Sequence, residues 1–116
     1  MKANGLGDSS LILATDDEMG ILTLYRHLLE GNGFRVIGTD DSREALHVCQ
    51  TQQIALVVCD IVQPYMNGLE LLAHLRADPA TRHLPVIVVS ARGDAAEMAF
   101  QLGADSFFHA DVTATG

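Results

Sequence analysis

Two hydrophobic periods alternate along the chain. "LILAT" (Leu11–Thr15) is a short uninterrupted apolar run, and from Asp17 to Glu30 the residues Ile21, Leu22, Tyr25, Leu28 and Leu29 recur at the spacing of one helix face. "GNG" (Gly31–Gly33) then stops the helix with residues that tolerate left-handed backbone. "FRVIGT" (Phe34–Thr39) is predicted as a second strand, and "DSRE" (Asp41–Glu44) reads as a capping box that opens a helix through about Gln52. The third strand, "IALVVCD" (Ile54–Asp60), is the most continuously apolar. "GLELLAHLRA" (Gly68–Ala77) is a helix with Leu69, Leu72 and Leu75 on one side, and Pro79 and Pro85 bracket the link that follows. "VIVVS" (Val86–Ser90), "DAAEMAFQLG" (Asp94–Gly103) and "SFFH" (Ser106–His109) complete the pattern as strand, helix and strand.

Strands that are apolar along their whole length are covered on both faces, which means a parallel sheet between helices. Strand–helix alternation with right-handed crossovers makes that a doubly wound α/β sandwich, with its ligand site beyond the carboxyl ends of the strands. At 116 residues and 48% hydrophobic, the chain suits one domain with a real core. The net charge of −8 argues against nucleic-acid binding and for a basic partner or a bound cation. No apolar run is long enough to cross a membrane, and "MKANGLGDSS" reads as a disordered leader, not a signal peptide. Cys49 and Cys59 lack metal-ligand spacing and suit buried free thiols in a reducing cytoplasm. The five histidines are scattered and read as surface side chains.

Polar residues gather where the topology puts a site. The first strand ends in "TDDE", the third in Asp60 and the fourth in "SARGD". With the first and third strands adjacent, Asp16, Asp17 and Asp60 converge. Three carboxylates in one place repel unless a hard cation such as Mg²⁺ lies between them. The plainer alternative is that Asp16 and Asp17 only cap the first helix.

These segments carry a resemblance. "ILATDDE", "VVCDIVQPYMNGLELL", "PVIVVSA" and "LGADSFF", in this order and spacing, resemble the receiver domain of bacterial two-component response regulators over about residues 9–112. The resemblance implies a flavodoxin-like five-stranded sheet of order 2-1-3-4-5, and a cytoplasmic signalling module that is not an enzyme beyond self-catalysed phosphoryl acceptance and dephosphorylation. It implies Asp60 as the acceptor of a phosphoryl group from a histidine kinase or phosphotransfer protein, and Mg²⁺ held by Asp17, Asp16, Asp60 and the Val62 backbone carbonyl. Ser90 matches the hydroxyl that bonds the phosphoryl oxygen, Ala91 the small residue beside it, and Phe107 the aromatic that switches position. Pro64 and Gly68 shape the loop into the third helix.

Two departures qualify the match. Where the family has lysine then proline after the fifth strand, this chain has Ala110 and Asp111. The family's fifth helix is expected to be missing or truncated, since residues 113–116 read as a tail; an uncovered sheet face would then favour a homodimer. Loss of the lysine keeps open an alternative, a degenerate receiver used for docking or oligomerisation. A phosphatase of the haloacid dehalogenase type also uses an aspartate nucleophile with Mg²⁺, but it needs an acid where Val62 stands.

Overall fold

The computed structural model describes residues 10–61 and 66–109. The leader (1–8), Val62, Pro64, Ala110, Asp111, the tail and any fifth helix lie outside the described residues. Five parallel strands, β1 (Leu11–Thr15), β2 (Arg35–Thr39), β3 (Leu56–Asp60), β4 (Val86–Ser90) and β5 (Ser106–His109), form one sheet of order β2-β1-β3-β4-β5. Helices α1 (Met19–Glu30), α2 (Ser42–Thr51), α3 (Gly68–Ala77) and α4 (Ala96–Gln101) connect them. The expected sheet order is the observed one. No helix among the described residues is long and apolar enough to cross a membrane.

Several boundaries differ from the sequence expectation, each for a local reason. α1 starts at Met19, not Asp17, because Asp16 Oδ1 accepts the Glu18 N–H (2.9 Å) and turns the chain before the helix begins. β2 starts after Phe34 because the Phe34 N–H goes back to Leu29 O (3.1 Å) and not to the sheet. Gly33 makes that return possible at φ 92°, a backbone geometry glycine adopts without strain. β3 starts at Leu56, where its ladder with Ile12 of β1 begins. The first turn of the fourth helix is 3₁₀, Gly93–Ala95, with the Ala95 N–H bonded to Arg92 O. At α2, Asp41 does cap the helix by accepting the Arg43 N–H (2.8 Å). The reciprocal capping box is found at α3, between Asn67 and Glu70.

The main core lies on one side of the sheet. Leu11, Leu13, Val57, Cys59, Val86 and Val88 pack there against Ala45, Val48 and Cys49 of α2 and Leu71, Leu72 and Leu75 of α3. Leu71 joins the buried face of α3, and Leu69 is only partly buried, which shifts that face from its expected position. Both cysteines are buried free thiols, and burial pushes Cys49 up to about 11. The other side carries α1, which buries only Leu22 and leaves Leu24 and Leu28 about half exposed. β4 accordingly alternates between buried and half-buried residues, and Phe108 of β5 is 61% exposed. Coverage of both faces, expected from the apolar strands, is therefore incomplete at β4 and β5 among the described residues.

One side chain ties the far half of the domain together. Arg76 of α3 donates from Nε to Gly103 O (3.0 Å) and from its terminal nitrogens to Leu84 O (2.7 Å), Arg82 O (3.1 Å) and Asp105 Oδ2 (2.9 Å). The same Asp105 oxygen accepts the Val86 N–H at the start of β4 (2.8 Å). Arg76→Ala leaves three carbonyls without this donor and is expected to lower unfolding stability by about 3 kcal/mol. Urea denaturation measures it, and a loss below about 0.5 kcal/mol, the range of an ordinary surface change, contradicts the role.

Candidate functional site

Parallel pairing of β1 with β3 reaches Thr15↔Cys59, so the residues that follow this pair on the two segments lie side by side, the second still paired with Val89 of β4. These residues are Asp16 and Asp60. With Asp17 they bring three carboxylates together, one oxygen of each lying within 4.8 Å of the others. Asp16 is buried, Asp60 half-buried and Asp17 exposed. Asp60 Oδ1 accepts the Ile61 N–H at 2.8 Å. Asp16 does not cap α1: its carboxylate accepts the N–H of Glu18, the residue that precedes the helix, and no side chain caps the first turn.

The cluster borders a cleft of about 120 Å³, room for several waters, whose other walls include Ile21, Tyr25, Val89, Ser90 and Ala91. Ser90, at the end of β4, is 2% exposed, and its Oγ accepts the Arg92 N–H (2.9 Å). The strand-end serine thus caps its own turn and also faces the cleft. Phe107 of β5 is partly buried against the main core, away from the residues that line the cleft. Val62 lies outside the described residues.

Two residues of the site were not assigned a place in it from sequence. Tyr25 was legible only as part of an apolar helix face, and it lines the cleft. Gly68 was legible as turn chemistry, but its importance is spatial. Its N–H donates to Ile61 O (2.9 Å), and a Cβ on it would overlap the Asp60 carbonyl oxygen. The start of α3 is thereby pressed against the backbone of Asp60.

Electrostatics follow from this geometry. Burial, then the negative charges of Asp60 and Asp17, push the Asp16 carboxyl up to about 6, although the Glu18 N–H partly offsets them. Burial and the charges of Asp16 and Asp60 likewise push the Tyr25 phenol up to about 12, so it stays protonated. The chemistry available is that of hard oxygen donors around a small cation, with one carboxylate placed to attack an electrophile.

The Asp16 shift sets a pH dependence. Between the ordinary value of 3.8 and about 6, the folded state binds more protons than the unfolded chain, so stability falls as pH rises through that window and levels off above it. In chelator-treated protein, Asp16→Asn is expected to remove this part of the decline and to raise the melting temperature at pH 7. Subtracting the two melting profiles isolates Asp16 together with its coupling to Asp60 and Asp17. Parallel profiles for the two proteins would contradict the assignment.

Comparison with known proteins agrees with this architecture. The model of the response regulator receiver domain matches residues 12–114. The alkaline phosphatase synthesis transcriptional regulatory protein PhoP of Bacillus subtilis is 33% identical over 98 residues, covering 83% of this chain and 40% of that protein. The polar-differentiation response regulator DivK of Brucella anthropi is 35% identical over 82 residues, 71% of this chain and 66% of that protein. This chain thus spans less than half the length of the matched transcriptional regulator. A receiver-domain structure from Clostridium thermocellum superposes with a TM-score of 0.79 at 31% identity, over 91% of this chain and 86% of the other. The strand order, the acidic cluster at the ends of β1 and β3 and the extent of these matches lead to one conclusion: this chain belongs to the response regulator receiver domain family of two-component signalling.

Proposed function

We propose that this receiver accepts a phosphoryl group on Asp60 from a histidine kinase or a phosphotransfer protein. The observation that carries the reading is the convergence of Asp16, Asp17 and Asp60 at adjacent strand ends. Asp60 is the member fit to be the nucleophile, because it is half-buried at the end of β3 and borders the open cleft. A carboxylate oxygen of Asp60 forms the new bond to phosphorus as the phosphorus–nitrogen bond to the donor histidine breaks. The electron pair returns to the imidazole. Ser90, on the opposite wall, offers a hydroxyl to a phosphoryl oxygen.

The donor set fits Mg²⁺: oxygen ligands only, clustered tightly, one of them disfavoured as an anion when no cation is near. Asp16, Asp17 and Asp60 would hold it, with the Val62 carbonyl as a further ligand. When bound, Mg²⁺ neutralises charge between the attacking carboxylate and the phosphoryl oxygens. Phe107 is proposed as the aromatic that responds to phosphorylation, from its place on β5 beside β4. The alternative, a docking module without a phosphoswitch, draws on Ala110 standing where the family has lysine. The complete acidic cluster favours the phosphoacceptor.

Two measurements test this. Incubation with acetyl phosphate and Mg²⁺ is expected to add one phosphoryl mass, lost in Asp60→Asn; an unmodified wild type would move the chain to the docking reading. Mg²⁺ titration followed by backbone amide shifts around Asp16 and Asp60 is expected to saturate, and Asp17→Ala to weaken it by at least tenfold, as removal of a charged ligand does. Unchanged binding by that variant would remove Asp17 from the ligand set.

A further inference from the structure

A phosphoryl group on Asp60 would enter a cleft whose side chains are mostly wrong for it. Asp16, Glu18 and Asp60 present acceptors, while Ile21, Val89 and Ala91 present none and donate nothing. Phosphoryl oxygens need donors, and a bond from a donor to a charged oxygen is among the stronger hydrogen bonds. Among the described residues lining the cleft, side-chain O–H groups come from Ser90 and Tyr25 alone.

The two are differently engaged. Ser90 Oγ accepts the Arg92 N–H, so its proton is left to give. Tyr25 sits one helical turn after Ile21, on the α1 face that walls the cleft, and its hydroxyl has no hydrogen-bond partner among the described residues. The phenol is half-buried and faces carboxylates, but no buried side-chain polar atom among the described residues lacks a partner, so its hydroxyl reaches solvent in the cleft and is free to turn to an incoming acceptor. The carboxylates do not fill that role in this structure, although both Asp16 and Asp60 act on the phenol through space.

We propose that Tyr25 is a phosphoryl ligand: its O–H donates to an oxygen of the group carried on Asp60, from the α1 wall, opposite the Ser90 wall. Two hydroxyls on separate elements would then fix the orientation of the group and link α1 to the occupied state. The inference rests on Asp60 being the phosphoacceptor.

The test uses the full chain, saturating Mg²⁺ and beryllofluoride as the phosphoryl mimic, with calorimetry as the readout. Tyr25→Phe is expected to weaken beryllofluoride binding about tenfold, the loss of one donor to a charged group, with the melting temperature and the affinity for Mg²⁺ alone unchanged. Equal beryllofluoride affinity in Tyr25→Phe overturns the inference. So does a matching loss in affinity for Mg²⁺ alone, which would place Tyr25 in the acidic cluster. If wild type takes no beryllofluoride, or Asp60→Asn takes it equally well, the phosphoacceptor reading fails and the inference with it. A second measurement needs no variant that binds the mimic: the ¹³Cζ resonance of Tyr25 in labelled wild type is expected to shift when beryllofluoride is added to the Mg²⁺ form. No shift counts against the contact.

Discussion

Repulsion between Asp16 and Asp60 is the constraint around which this domain is arranged. Like charges at about 5 Å cost about 3 kcal/mol at an effective dielectric near 20, and no hydrophobic side chain could make that contact favourable. The backbone imposes it. Parallel pairing of β1 with β3, continuous from Ile12↔Leu56 to Thr15↔Cys59, delivers the two aspartates to neighbouring positions whatever their side chains prefer. Burial first, and then this repulsion, make Asp16 hold its proton more tightly, up to about 6. The buried β strands beneath the site supply the stability that holds the two carboxylates in place.

The same economy explains α3. Its start is fixed by the Asn67–Glu70 capping box and by the Gly68 N–H bonded to Ile61 O. Glycine is required there for the missing Cβ, since the Asp60 carbonyl occupies that space. The helix that covers the main core therefore also sets the backbone position of Asp60. Packing and site are one construction at this point, which is why a substitution at Gly68 would disturb both.

How much of this was legible in the sequence depended on how local each cause was. β1, β4, β5 and α3 were bounded correctly because each is flanked on at least one side by an acid or a proline: Asp16 after β1, Pro85 before β4, Asp105 before β5 and Asp78 after α3. The starts of α1, β2 and β3 were not, because they depend on single hydrogen bonds: the Asp16 carboxylate to the Glu18 N–H, the Phe34 N–H to Leu29 O, and the register between β1 and β3. The acidic cluster was legible because topology alone makes strand ends meet. Tyr25 was not, because helical spacing marks a face without saying which end of it overlooks the cleft. Nor was the Arg76 network, since an arginine near the end of a helix looks the same whether it is solvated or holds three carbonyls.

The segment after β4 shows how a charge at Asp60 can be felt elsewhere. Ser90 Oγ accepts the Arg92 N–H, His109 Nε2 donates to Ala91 O (3.0 Å), and the His109 ring lies against Gly93. The loop is thus latched by two neutral hydrogen bonds, each worth about 1 kcal/mol net. A charged phosphoryl oxygen offers Ser90 about 1.5–3 kcal/mol. Because Ser90 Oγ only accepts the Arg92 N–H, its own proton can go to a phosphoryl oxygen without breaking the latch, so under the proposed phosphorylation of Asp60 the two contacts reinforce one another. A bond of that size shifts populations by about tenfold to a hundredfold, so the loop would act as a reader of the site. Stronger switching would need a further donor, and the cleft has one on α1.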